Sequence, residues 1–143
     1  MVSVPFIEKP SKGASNMPEK DKRHQLGKDS EQLAVDYLKK LGYTIIQRNY
    51  RIQGGEIDII AKEKNTIVFI EVKSRSNTRY GHAIQSLTRQ QQKRLSKTAL
   101  TYLYQHKMHN QSARFDMIAI QKNQYMKTDI RLIRNAFEVL MAF

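Results

Sequence analysis

From Gly54 to Arg75 the chain reads Gly-Gly-Glu-Ile-Asp-Ile-Ile-Ala-Lys-Glu-Lys-Asn-Thr-Ile-Val-Phe-Ile-Glu-Val-Lys-Ser-Arg. Two β-branched apolar runs flank a short polar one, the pattern of a hairpin, and Lys64-Asn65 is its natural turn. With those two residues as the loop, Glu63 opposes Thr66, Ala61 opposes Val68 and Asp58 opposes Glu71. Opposed side chains share a face about 5 Å apart, and the period of two adds Lys73 to that face. At that distance and an effective dielectric near 20, two carboxylates repel by roughly 3 kcal/mol, more than the roughly 0.2–1 kcal/mol that a good cross-strand pair supplies. A divalent cation would offset the repulsion, and Mg²⁺ is commonly held by one or two carboxylates with waters and phosphate oxygens. The competing reading sends both acids to solvent beside surface lysines. Against it, Glu71 and Lys73 sit at the end of the most apolar run of the chain, Thr66 to Val72, and Gly54-Gly55 permits a close approach by another backbone or a ligand. Register decides between them, because a one-residue slip puts the acids on opposite faces.

Charge points to the partner. The 143 residues, enough for one domain with a real core, carry 25 Lys and Arg against 13 Asp and Glu, a net charge of +12. That is the footprint of a protein that meets nucleic acid or another polyanion. From Val72 to Phe115 there is no acidic residue, while nine basic ones occur: Lys73, Arg75, Arg79, Arg89, Lys93, Arg94, Lys97, Lys107 and Arg114. Solvated helix faces usually mix signs; this segment does not. The absence of cysteine excludes disulfides and thiolate metal sites and fits a reducing compartment. With no long apolar span and no apolar leader, the expectation is a cytoplasmic protein without membrane contact.

Taken in order, residues 1–24 hold all three prolines among Ser, Gly, Asn and Lys, a composition that predicts a disordered basic tail ahead of a single domain at 25–143. Asp29 to Leu41 has helical periodicity, with Asp29 and Gln32 as a capping box and Gly42 as the stop. Glu31 falls on the inward stripe of its first turn, either as an acid favoured by the helix dipole or as a third metal or water ligand. Tyr43 to Arg51 reads as a strand pairing with the one that begins near Glu56, and Glu56 as a partner for Arg48 or Arg51. Ser74 to His82 is a polar loop placed to cover the site. Ser86 to His106 is expected to be the longest helix, capped by Thr88, with Arg89, Lys93, Arg94 and Lys97 on its exposed face. Tyr102 and Tyr104 are read as packing residues, and His106 and His109 as surface histidines. Phe115 to Ile120 is a buried strand; Arg114 before it is assigned to phosphate and Asp116 to a structural ion pair with Lys73 or Arg75. Ile130 to Phe143 suits a strand or a short helix.

An acid in one strand followed by Glu-x-Lys in the next resembles the signature of restriction-endonuclease-like nucleases. The wider strings, Gly55 to Ala61, Val68 to Arg75 and Arg114 to Asp116, resemble the YraN family, grouped with archaeal-type Holliday-junction resolvases, over Leu26 to Ile120. The resemblance implies an α/β fold with a restriction-endonuclease-like core, a mixed central sheet flanked by helices in αβββαβ order, and a carboxylate from the first helix completing the metal site. Where that family usually has Gly-Glu this chain has Ser30-Glu31; the glutamate is kept. The expectation is therefore a metal-dependent endonuclease acting on DNA, of branched or junction form, with Glu31, Asp58, Glu71 and Lys73 catalytic. Glu31, Asp58 and Glu71 hold Mg²⁺ or Mn²⁺ in this reading, and Arg75, Arg89, Lys93, Lys97 and Arg114 bind the backbone. Symmetric cutting of a junction favours a homodimer. The alternative is a non-catalytic nucleic-acid-binding accessory protein with the same fold.

Overall fold

A computed structural model describes residues 2–3, 19–75, 87–122, 125 and 127–139, the side chains of 2, 3, 19–28, 75 and 122 excepted. Its elements are β1 (Val2–Ser3), α1 (Glu19–Lys40), β2 (Thr44–Ile52), β3 (Gly55–Glu63), β4 (Thr66–Arg75), α2 (Arg89–Gln105), β5 (Ala113–Lys122) and β6 (Thr128–Phe137). Five long strands and the two-residue β1 make one sheet in the order β1-β6-β5-β4-β3-β2. All neighbours run antiparallel except β4 and β5; a parallel pair needs a crossover, and α2 lies in that connection. The result is a mixed-sheet α/β fold compatible with a restriction-endonuclease-like core.

Alternation along the central strands builds two cores. Ile59, Ala61, Val68, Ile70, Ile118 and Ile120 face Ala34, Val35 and Leu38 of α1. Ile60, Ile67, Phe69, Phe115 and Met117 face Leu95, Ala99 and Tyr102 of α2. The central strands are thus covered on both sides, which explains why β4 and β5 read as near-continuous apolar runs. Gly55 fixes how closely α2 can approach: a Cβ there would collide with Thr98 Oγ1.

The hairpin forms with the expected turn and register, Glu63 opposite Thr66 and Ala61 opposite Val68. Lys64 takes the left-handed conformation that closes the turn, with φ 54°. Gly42 ends α1 at φ +93°, a left-handed stop that glycine adopts without steric cost. Other expectations need correction. Helix α1 begins at Glu19, so Asp29 is an interior residue, and the Gln32 amide donates to Asp36 at 2.9 Å instead of completing a capping box. With 22 residues it is longer than α2, which has 17. Of the segment from Ile130 onward, the described part up to Phe137 belongs to a strand, β6. Of the segment read as a tail, residues 1 and 4–18 lie outside the described residues; Val2–Ser3 pair with β6, and 19–24 open α1. The polar loop after Ser74 also lies outside them from residue 76 to 86.

Candidate metal and phosphate site

The β3–β4 ladder stops at Ile59 opposite Ile70, one position short of Asp58 and Glu71. Beyond that point the Asp58 side chain takes over from the backbone: its Oδ2 accepts the Val72 N–H at 2.8 Å. The Asp58 charge also acts directly on the Glu71 carboxyl group. The two acids meet as the register predicts, through side chains where the strands part. Lys73 Nζ lies 3.7 Å from Glu71 Oε1.

One ammonium does not balance the two acids. Burial and then the Asp58 charge push the Glu71 carboxyl up to about 8, with Lys73 opposing the shift. Asp58 is also raised, first by burial and then by Glu56 and Glu31, against the Val72 N–H and Lys73. Two carboxyl groups forced together hold on to a proton because they cannot both ionise cheaply. A hard divalent cation is the other way to neutralise them, and an all-oxygen donor pair suits Mg²⁺ or Mn²⁺.

Glu31 is close enough for its charge to act on Asp58, but its Oε1 accepts from Arg48 Nε at 2.9 Å and Asn49 Nδ2 at 3.0 Å. Asn49 adopts φ 53°, a left-handed turn inside a strand that asparagine tolerates better than most residues. Among the described residues no three acidic, imidazole or thiolate groups converge at metal-binding geometry. The structure therefore joins Asp58, Glu71 and Lys73 and leaves Glu31 at the margin, tied to Arg48. Glu56 pairs with Arg51 at 3.2 Å, as its sequence position suggested.

Glu71 and Lys73 open into a cleft of about 500 Å³ whose other walls include Arg51, Glu56, Gln91 and Arg94. The capping box that starts α2 sets the last two: Gln91 N donates to Thr88 Oγ1 at 3.1 Å, and Thr88 N donates to Gln91 Oε1 at 2.9 Å. Arg94 and Arg51 are candidate phosphate ligands that the sequence reading did not single out. The glycine pair at 54–55 held the signal, because the Thr98 that packs on Gly55 lies one turn after Arg94. Arg89, Lys93 and Lys97 are exposed on α2. The Arg75 side chain lies outside the described residues.

Arg114 is not available to phosphate. Its Nη2 donates to Glu63 Oε1 at 2.7 Å, to the Tyr43 hydroxyl at 2.9 Å and to Asp116 Oδ2 at 3.2 Å, while Nε donates to Asp116 Oδ1 at 3.0 Å. Asp116 also accepts from the Tyr43 hydroxyl at 2.9 Å and from Asn135 N at 3.1 Å. Asp116 is in a structural ion pair as expected, but with Arg114, which lies two residues before it on the same face of β5, while Lys73 is paired with Glu71. Tyr102 is core. Tyr104 is not: it is 70% exposed and stacks on His109.

The sequence model of an uncharacterised protein family, UPF0102, matches residues 30–120. The chain belongs to UPF0102. It is 43% identical over 122 residues to a UPF0102 protein of Desulfosudis oleivorans, covering 85% of this chain and 97% of that one. A UPF0102 protein of Geotalea daltonii is 43% identical over 120 residues, with 84% and 94% covered, and one of Caldicellulosiruptor saccharolyticus 42% over 116 residues, with 80% and 98% covered. The YraN resemblance read from the hairpin strings leads to this same family. The matched span contains Glu31, Asp58, Glu71 and Lys73 together with the whole of α2. Among the described residues of this UPF0102 protein no helix is long and apolar enough to cross a membrane.

Proposed function

We propose that this UPF0102 protein is a metal-dependent endonuclease acting on DNA phosphodiesters in the cytoplasm. The observation that carries the reading is Glu71, acted on by the Asp58 charge and with Lys73 Nζ 3.7 Å from its Oε1, opening together with Lys73 into a cleft that Arg51 and Arg94 also line. A protein that only binds DNA gains nothing from buried acids where phosphate must approach.

Asp58 and Glu71 would hold Mg²⁺ or Mn²⁺, with Glu31 contributing directly or through water once it leaves Arg48. Such an ion supplies Lewis acidity, lowering the pKa of water and neutralising charge on a phosphate oxygen. The Val72 N–H fixes the Asp58 carboxylate, so that ligand is oriented before anything binds. Glu71 would hold such a cation as its carboxylate. Lys73 donates N–H bonds towards the cleft, where it orients the attacking water and stabilises charge developing on the phosphoryl oxygens. Arg51 and Arg94 clamp the backbone on either side, and the exposed Arg89, Lys93 and Lys97 extend the basic surface. None of these groups is arranged to read base edges. Recognition through backbone shape suits a branched or junction substrate, and two-strand cutting suits a homodimer.

The test is cleavage of labelled junction and flap DNA with Mg²⁺ or Mn²⁺, alongside Mn²⁺ calorimetry, by wild type, Asp58→Asn and Glu71→Gln. Both variants are expected to lose cleavage and Mn²⁺ binding; unchanged cleavage would overturn the assignment. One observation favours a second reading: Glu31 is held by Arg48 and Asn49. A non-catalytic accessory protein would bind the same DNA, bind no Mn²⁺ and cut nothing.

A further inference from the structure

Helix α2 has the sequence RQQQKRLSKTALTYLYQ, four cations and no acid. Its buried side is taken up by Leu95, Ala99, Tyr102 and Leu103. At about 100° per residue, Arg89, Lys93, Lys97 and Tyr104 fall in one narrow stripe on the opposite side, all four exposed. Along the helix axis the stripe begins level with Gln91 and Arg94, which line the cleft from a different side of α2, and it runs about 22 Å to Tyr104 at 1.5 Å per residue.

It ends on an aromatic pair. The Tyr104 and His109 rings are stacked with centroids 5.4 Å apart and planes 15° from parallel, and both residues are exposed. Tyr104, at 70% exposure, adds nothing to the core, unlike Tyr102 one face away. A half-covered ring pair held rigid at the end of an acid-free basic track has the chemistry of a base-stacking platform. Duplex DNA offers its phosphates to the cations but keeps its bases stacked inside; only an unpaired nucleotide can lay a base on Tyr104.

We infer that the outer face of α2 is a single-strand track, with Arg89, Lys93 and Lys97 on phosphates and the Tyr104–His109 pair stacking an unpaired base at its far end. The inference rests on the nucleic-acid reading of the cleft and narrows its substrate: DNA with a single-stranded arm, such as a flap, in preference to blunt duplex.

Fluorescence anisotropy of the full chain with two labelled DNAs, a blunt duplex and the same duplex with a single-stranded arm of about eight nucleotides, tests it. Wild type is expected to favour the armed DNA by about fivefold or more, the lower end of the loss on removing one stacked base. In Tyr104→Ala that ratio collapses towards one, while Tyr104→Phe, which keeps the ring, preserves it. Lys93→Ala and Lys97→Ala weaken both DNAs and flatten the salt dependence. A wild-type ratio near one, or a ratio that survives Tyr104→Ala, overturns the platform while leaving the cleft's reading intact. Absence of salt-dependent binding to either DNA overturns both.

Discussion

Two acidic clusters lie on strands β3 to β5, and they are balanced in opposite ways. In the one that reaches the β3–β4 turn, Glu63 beside the turn and Asp116 on β5 meet two guanidiniums: Glu63 is bonded by Arg114 and by Arg134, at 2.7 and 2.5 Å, and Asp116 by Arg114 at 3.0 Å. The Arg134 hydrogen bond, followed by that of Arg114, holds Glu63 below the usual carboxylate range despite its burial. Tyr43, buried beside Asp116, is pushed up to about 12 and stays a hydroxyl. In the other, Asp58 and Glu71 meet one ammonium, and Glu71 rises to about 8. Equal numbers of carboxylates therefore behave differently. The first cluster has its donors built in and serves the fold; the second is left short of positive charge, which in the proposed function a bound cation would supply.

The largest effect expected from this contrast is on stability in the balanced cluster. Arg114→Ala strands Asp116, whose side chain is 0% exposed, and should cost about 3–5 kcal/mol in urea unfolding; a loss under ~1 kcal/mol would dissolve the distinction. In the other cluster the effect moves to activity. Lys73→Ala should leave the urea midpoint nearly unchanged and lower kcat about 10²–10³-fold, read on the flap substrate at saturating Mn²⁺.

The pH dependence carries opposite signs in the two clusters. Glu71 in the folded protein binds its proton up to about 8, whereas in the unfolded chain it releases it in the ordinary carboxylate range. Between those values the folded state holds more protons, so its favourable contribution is full in acid and is lost as pH rises through about 8. Glu71→Gln should therefore raise Tm by at least ~3 °C at pH 8 in metal-free buffer and by nothing at pH 4. Glu63, lowered by its arginines, contributes above the ordinary carboxylate range and loses that contribution as pH falls, so Glu63→Gln should destabilise at pH 7 and be silent in strong acid. Smallest of all is Arg134→Ala. Arg134 is 48% exposed, and its removal should cost no more than ~1 kcal/mol, because Arg114 still serves Glu63.

The sequence by itself determined the hairpin, its turn, its register up to Ile59 and hence the meeting of Asp58, Glu71 and Lys73, because strand period and turn chemistry are local rules. Helix periodicity likewise gave the Thr88 cap and the cations of α2. Three things were decided only by tertiary structure. Arg114 lies two residues before Asp116, and only the fold brings in Glu63 and Tyr43, which its Nη2 binds. Tyr102 and Tyr104 are two residues apart, and only packing against the sheet sends one inward and the other out. Glu31 sits on the helix face nearest the acids, and only the bent β2 carries Arg48 and Asn49 within reach of it. In each case the outcome depends on contacts outside the local segment, and neither spacing nor composition encodes which group will arrive.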